Sequence, residues 1–295
     1  MEGISIFCKS YRNDLRRAAA LAESVRRFNN ESLPFYISVP RNDSSLFRNQ
    51  IGTGDIKWLC DEDIIESNRN ISYDAYHSLP GHLSQQIVKA EFWRLNPLPS
   101  YLCIDSDSIF IREFRLSDFM ASGSVPYTIM HEGKSFSEFC LANGLDYYIE
   151  EFELMKSRFR NMFERRGPSY NFLPFPVAWH RLVWQDLERN YLIPKGITVL
   201  DAFKLLSSEA FWYGEALLKY RSIDISPREP FFKAYLYLEE YEHDRRIGVT
   251  HSILSKLYCG IVYQSNWHPK RLRLTKKYAY HFKKTLKKFL PGFLI

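Results

Sequence analysis

The sequence lacks the short glycine-rich motifs that commonly hold phosphate groups. Neither the dinucleotide fingerprint GxGxxG nor the P-loop pattern GxxxxGK[S/T] occurs in its 295 residues. These absences exclude the usual Rossmann dinucleotide site and the P-loop nucleotide site. If the protein binds a phosphorylated ligand, another group has to neutralise the phosphate, and a divalent metal ion is a candidate.

Features of secreted and membrane-spanning proteins are also missing. The cysteines are odd in number and scattered, without CxxC or zinc-type spacing: Cys8, Cys60, Cys103, Cys140 and Cys259. This usage favours a reducing compartment. The first residues contain no basic segment followed by a long apolar one, and no run of about 18 apolar residues occurs. We therefore expect a cytoplasmic protein without a signal peptide or a transmembrane helix.

Most of the chain has no excess of positive charge, although the formal net charge is +6. Residues 269–295 contain nine of the 40 Lys and Arg residues and no acid, which leaves 31 basic against 34 acidic residues elsewhere. If this segment is helical, its apolar residues share one face: Tyr278, Phe282, Leu286, Phe289 and Phe293. That pattern is typical of helices that lie on anionic bilayers. We expect residues 268–295 to form a basic amphipathic tail on the inner face of the cytoplasmic membrane, with no nucleic-acid partner.

The body of the chain begins with a strand–helix–strand pattern. The apolar runs Ile4–Cys8 and Phe35–Val39 predict strands, and the apolar spacing between them predicts a helix that ends at Phe28. Such a β-α-β unit opens many nucleotide-binding sheets. We therefore predict an α/β fold. Since we find no linker, we expect one domain in two halves: residues 1–267, with a nucleotide half at 1–115 and an acceptor half at 116–267.

The most informative stretch is the apolar run from Tyr101 to Phe110, which contains two acids. It predicts a buried strand of a parallel sheet that runs into Asp105 and Asp107. In extended backbone, residues two apart point the same way, so both carboxylates would face the crevice beyond the carboxyl ends of the strands. Two acids at close range are costly unless a cation lies beside them. We therefore expect a metal-assisted phosphate site.

Other polar residues are placed near this crevice by their position in the chain. Lys9 and Ser10 follow the first predicted strand, and Gln86 and Lys89 lie on a predicted helix that starts at Ser84 and leads into the acidic strand. We assign these four residues to donor binding. The Pro- and aromatic-rich connection at 167–179 is long for a loop, so it is a candidate to line the site.

The strand that ends in Asp105-Ser106-Asp107 resembles the DxD motif of GT-A-fold glycosyltransferases. The segments Gln85-Gln86…Lys89 and Ser208-Glu209…Tyr213-Gly214 resemble features of bacterial GT-A-like enzymes of surface-polysaccharide synthesis. The resemblance implies a Rossmann-type mixed sheet flanked by helices. It also implies transfer of a sugar from a nucleotide-sugar donor to a glycan or lipid-linked acceptor.

The same resemblance implies roles for individual residues. Asp107 would bind Mn²⁺ or Mg²⁺ that bridges the diphosphate, and Asp105 would contact the ribose or the water shell of the metal. GT-A enzymes often complete the coordination of the metal with a His near the C-terminal end. By its position in the chain His268 is the candidate for that ligand, with His251 as a rival. An inverting transfer needs a carboxylate base on the acceptor side. We assign Glu209, predicted to lie within a long helix at 201–220, with Glu215 and Asp201 as rivals.

The sequence is also compatible with two other functions. Asp105-Ser106-Asp107 also resembles the first motif of haloacid-dehalogenase-type Mg²⁺ phosphatases, in which Asp105 would be the nucleophile. That motif usually lies on the opening strand, whereas a β-α-β unit precedes it here, and the required later acidic pair would be Glu239-Glu240 in a helical pattern. The other alternative is a non-enzymatic protein that binds membranes or nucleic acid through its basic tail.

Overall fold

The structure is a computed structural model that describes residues 3–264. Its strands are β1 Ile4–Lys9, β2 Phe35–Val39, β3 Ile56–Cys60, β4 Ser100–Asp105, β5 Ser108–Phe110, β6 Tyr127–Ile129, β7 Val177–His180, β8 Ser226–Arg228, β9 Phe232–Tyr235 and β10 Gly260–Tyr263. Its helices are α1 Leu15–Phe28, α2 Ser44–Ile51, α3 Asp61–Glu66, α4 Tyr73–His77, α5 Gly81–Glu91, α6 Leu116–Phe119, α7 Lys134–Ala142, α8 Asp146–Met162, α9 Arg181–Leu187, α10 Val199–Leu205, α11 Glu209–Tyr220, α12 Leu238–Arg246 and α13 His251–Leu254. The predicted tail at 268–295 and His268 lie outside the described residues.

The main sheet has five strands in the order β3-β2-β1-β4-β7. The first four run parallel, and β7 pairs with β4 in the antiparallel direction. All of β2 and all but the last residues of β1 and β4 are buried, as expected for central strands covered on both faces. The predicted α/β class, with a mixed sheet flanked by helices, is confirmed.

Helix α5 packs against β1 and brings its polar face to the carboxyl edge of the sheet. Its residues Ile87 and Val88 are buried, and Phe92, just after the helix, stacks on Phe7 of β1 with ring centroids 3.8 Å apart. The helix begins at Gly81, three residues earlier than predicted, because Pro80 occupies the position before it and accepts the first backbone hydrogen bonds. One apolar core extends from Ile4 to Val262; the division into nucleotide and acceptor halves stays a prediction.

A second sheet changes the geometry of the acidic stretch. It has the order β5-β10-β9, with β5 antiparallel and β9 parallel to β10. The chain leaves the main sheet at Asp105, turns through Ser106 and Asp107, and enters the second sheet at β5. The prediction that Asp105 and Asp107 share one extended strand is therefore wrong, because the chain changes sheets between them.

The acceptor side is helical. The predicted long helix at 201–220 is wrong, because α10 ends at Leu205 and α11 starts at Glu209. Ser208 is extended, and the indole of Trp212 donates to the carbonyl of Leu206 at 2.8 Å, which satisfies backbone at the end of α10. Glu209 is thus the first residue of a helix rather than an interior one.

None of the helices within residues 3–264 combines the length and apolar composition that crossing a bilayer requires. The acidic pair Glu239-Glu240 lies in α12, in agreement with the helical pattern. The opening β-α-β unit also precedes the Asp105 turn, as predicted, and both features differ from the arrangement that the phosphatase alternative requires.

His180 makes the stability of this fold depend on pH. It ends β7 and caps α9, where its Nδ1 accepts a hydrogen bond from the backbone N–H of Leu182 at 3.2 Å. Burial, and then the charge of Arg181, lower the pKa of His180 from 6.5 to about 4. Between these values the unfolded chain binds a proton that the folded protein excludes, so we expect stability to fall by up to about 3 kcal/mol as the pH drops from 6.5 to 4.

The variant His180→Asn keeps a short polar acceptor at the cap but cannot titrate. Urea unfolding at pH 7 and pH 4.5 should therefore show a smaller loss of stability in the variant than in the wild type. Equal losses in both proteins would show that carboxylates elsewhere cause the whole acid sensitivity.

Candidate functional site

Three charged side chains meet at the carboxyl edge of the main sheet. The ammonium of Lys89, on α5, lies 2.5 Å from Oδ1 of Asp105 at the end of β4. The same ammonium donates to Oε1 of Glu209, the first residue of α11, at 3.2 Å. The side chain of Lys89 is 4% exposed and that of Glu209 6%, whereas that of Asp105 is 32% exposed. We call these three residues the charged cluster.

Two carboxylates and an aromatic ring stabilise the positive charge of Lys89 in the charged cluster. Burial alone would lower the pKa of Lys89, but the carboxylates of Asp105 and Glu209 outweigh it and raise that pKa well above its ordinary value. The ring centroid of Phe175, from the aromatic connection, lies 4.3 Å from the Lys89 ammonium and adds a cation–π contact. Lys89 is therefore charged, and it holds two acids from distant parts of the chain in one place.

Glu209 is the less solvated of the two acids. Burial raises the pKa of Glu209, and the positive charge of Lys89 lowers it. The effect of burial is larger, so the pKa of Glu209 stays above its ordinary value. Its position at the start of α11 also places the carboxylate where the helix dipole favours negative charge. With Glu209 ionised, one ammonium faces two carboxylates, so the charged cluster has a net negative charge.

The charged cluster faces a cavity of about 720 Å³. Gln86 also lines it and donates from Nε2 to Oγ of Ser207 at 2.9 Å. The Pro- and aromatic-rich connection at 167–179, which we expected to line the site because it is long for a loop, contributes four residues to the cavity wall: Asn171, Leu173, Pro174 and Phe175. Residues of α7, α8, β9 and the start of α12 also line the cavity and carry most of its aromatic side chains. The cavity is large enough for a drug-sized ligand.

A second, smaller cavity of about 170 Å³ lies at the ends of β1, β2 and β3. Lys9 lines it, and its ammonium lies 3.1 Å from Oδ2 of Asp61 and donates to the carbonyl of Ser10. Lys9 and Asp105 are paired in register on adjacent parallel strands. Ser84 of α5 lines this cavity and Gln85 lines the larger one, so the two cavities adjoin along one helix.

Asp107 lies beside this arrangement, in the turn between the two sheets. Its carbonyl accepts a hydrogen bond from the backbone of Tyr263 at 2.8 Å. Burial raises the pKa of the Cys8 thiol in β1, and the charges of Asp105 and Asp107 raise it further. Among residues 3–264, His, Cys, Asp and Glu form no group of three that could hold a metal ion.

The donor atoms at this turn are nevertheless suited to Mn²⁺ or Mg²⁺. Lys89 contacts Oδ1 of Asp105, and the Asp105 side chain is one-third exposed. Mg²⁺ typically takes one or two carboxylates and completes its coordination with substrate phosphates and water. Asp105 and Asp107 fit that pattern, whereas a complete metal site made of protein atoms alone does not form within the described residues.

The rival acids are engaged elsewhere. Glu215 is buried and accepts two hydrogen bonds from Arg165, at 2.6 and 3.0 Å. Asp201 caps α10 by accepting from the backbone and hydroxyl of Thr198. His251, the rival metal ligand, is exposed and shares a hydrogen bond with the hydroxyl of Tyr263 at 3.0 Å. Of the three proposed acids, Glu209 alone joins the charged cluster.

Sequence reasoning missed two residues of the smaller cavity. Asp61 and Glu62 begin α3 directly after β3, and both are buried. They occupy the carboxyl end of a parallel strand, which is the position that singled out Lys9 and Asp105. The same rule applied to the third strand would have identified them. The carboxylate of Asp61 is the partner of Lys9, so Lys9 is not an unpaired donor ligand.

We compared the chain with protein families and with curated proteins. Residues 4–140, just under half of the chain, match a family described as a family of unknown function, DUF6492. No curated protein matches the sequence.

The search of solved structures matches the chain to two glycosyltransferase structures. The apo form of mouse xyloside xylosyltransferase 1 shares 8% identity with a TM-score of 0.44, over 90% of this chain and 99% of that one. The apo WbbM bifunctional glycosyltransferase shares 9% identity with a TM-score of 0.47, over 91% of this chain. The match covers 47% of the WbbM chain, so the present chain spans about half its length. Likeness at this level does not assign a reaction.

Proposed function

We propose that the protein is a metal-dependent glycosyltransferase that moves a sugar from a nucleotide-sugar donor to a glycan or lipid-linked acceptor. The observation that carries the proposal is the charged cluster. It joins an acid at the carboxyl edge of the main sheet, Asp105, to a buried acid at the start of α11, Glu209, through one lysine. Such an arrangement provides a donor side and an acceptor side for one transfer reaction.

The donor would lie along the carboxyl ends of the strands, where open α/β sheets bind their ligands. The smaller cavity is suited to the nucleoside, because Lys9 lines it and Lys9 is paired in register with Asp105 on the adjacent strand. The diphosphate would then reach the turn at Asp105 and Asp107, which would hold Mn²⁺ or Mg²⁺. When bound, such an ion would neutralise the negative charge of the departing nucleoside diphosphate.

The acceptor would enter the large cavity from the side of α7 and α8. In an inverting transfer, its hydroxyl oxygen attacks the anomeric carbon, the bond from that carbon to the diphosphate oxygen breaks, and Glu209 takes the hydroxyl proton. Lys89 keeps the carboxylate of Glu209 in place, at 3.2 Å, for that step. We further propose that residues 269–295 bring this site to the cytoplasmic face of an anionic membrane.

The proposal can be tested by ligand-dependent thermal unfolding. With one nucleotide-sugar of a panel at about 100 times its Kd, Mn²⁺ should raise the Tm by roughly 5 °C, and EDTA should abolish the increase. Asp107→Ala should abolish it too, whereas Asp224→Ala, at an exposed acid, should retain it. A panel without any stabilising donor would contradict the proposed function. An increase that survives EDTA and Asp107→Ala would contradict the metal site alone.

A further inference from the structure

The large cavity is strongly asymmetric. One part of its lining is the charged cluster, and another part, which we call the apolar end, consists of rings and apolar side chains: Phe136, Phe139, Phe152, Met155, Phe232 and Tyr237. Phe139 of α7 stacks on Tyr237 with centroids 4.8 Å apart, and Phe152 of α8 packs edge-on against Phe211 of α11. The apolar end therefore has walls supported by packing between helices.

Two polar side chains of the cavity lining, those of His131 and Glu240, form hydrogen bonds within the protein. His131 shares a hydrogen bond with the carbonyl of Leu173 through Nε2, at 2.6 Å, and accepts one from the backbone of Gly133 through Nδ1. Glu240 accepts from the backbone N–H groups of Leu236 and Tyr237. A sugar chain placed here would lose water without equivalent partners from these groups, which is unfavourable. An apolar group would instead gain from covering the rings.

We propose that the apolar end of the cavity binds the hydrocarbon chain of a lipid-linked acceptor, with the acceptor hydroxyl directed to Glu209. This inference rests on the proposed function and decides between its two acceptor classes. The sequence that follows the last residue of the cavity lining supports a lipid as the acceptor. Gln264 lines the cavity, and the sequence then continues to residues 269–295, with nine basic residues and no acid. A segment of that composition suits an anionic lipid surface.

Alkyl glucosides test this inference without requiring turnover. Binding of methyl, hexyl and octyl β-D-glucoside to the full chain is measured by calorimetry, below the concentrations at which the longer two form micelles. We expect affinity to rise roughly fourfold per added methylene while the chain lies within the apolar walls. Equal affinities for the three glucosides would overturn the inference.

A matched pair of variants on α8 locates the binding. Met155→Asn, in the wall, should remove most of the dependence on chain length, whereas Leu154→Asn, one residue away and 54% exposed, should retain it. The Tm of each variant establishes that it is folded. If Met155→Asn is folded and keeps the full dependence on chain length, the hydrocarbon binds elsewhere and the inference fails.

The inference and the proposed function can fail separately. Transfer to a water-soluble glycan, combined with equal affinities for the glucosides, would keep the glycosyltransferase and reject the lipid. Chain-length-dependent binding that Met155→Asn abolishes, with no donor of the panel stabilising the protein, would keep an apolar ligand site and reject the transfer reaction.

Discussion

Replacement of Glu209 by Gln is expected to lower kcat by roughly 10²- to 10⁴-fold, the usual contribution of a general base. The carboxamide has nearly the same shape, and its oxygen can still accept the hydrogen bond from Lys89 that Glu209 accepts at 3.2 Å. It cannot take the proton of the acceptor hydroxyl. Donor affinity should remain within about threefold, because the change lies on the acceptor side and the protein stays folded.

The measurement is single-turnover transfer together with donor binding for each variant. Asp201→Asn is the matched control, because that acid caps α10 at the surface and should leave kcat unchanged. A Glu209→Gln protein with normal kcat would reject Glu209 as the base. A product that retains the anomeric configuration of the donor would also reject this role, since direct displacement by an activated hydroxyl inverts it.

Replacement of Lys89 by Met is expected to destabilise the protein by about 3 to 5 kcal/mol, as removal of one partner from a buried ion pair typically does. The substitution leaves Asp105 and Glu209 close together without their shared cation. It should also abolish transfer, because neither acid keeps its position. The loss of stability should be smaller at low pH, where protonation of Glu209 removes one of the two charges.

The free energy of unfolding, from urea titrations, tests this expectation. Lys204→Met, at an exposed lysine of α10, is the control and should change stability by less than about 0.5 kcal/mol. The double variant Lys89→Met with Glu209→Gln should be more stable than Lys89→Met alone, because it no longer buries an uncompensated carboxylate. Additive effects of the two substitutions would show that Lys89 does not act through Glu209.

The sequence was sufficient for features that depend on local pattern. Continuous apolar runs identified β1, β2 and β4, since central parallel strands are buried on both faces. The rule that ligands bind beyond the carboxyl ends of such strands then located Lys9 and Asp105, which the structure pairs in register. The basic composition of 269–295 is equally a property of the sequence, and its proposed role at a membrane stays a prediction.

The relation between Lys89, Asp105 and Glu209 required the tertiary structure. Lys89 and Glu209 are 120 residues apart, and no local periodicity indicates that they share a hydrogen bond. The break between α10 and α11 was also missed, because residues 201–220 fit one helix by propensity, whereas Ser208 is extended and α11 starts anew at Glu209.

The sequence by itself therefore determined the α/β class, the strand that ends in Asp105 and the candidate acids. The tertiary structure decided which acids form a site. It placed Asp107 in a turn between two sheets, engaged Glu215 with Arg165, and buried Lys89 between Asp105 and Glu209. The physical reason is that a buried charge must find its partner in space, and that partner is chosen by the packing of distant elements rather than by neighbours in sequence.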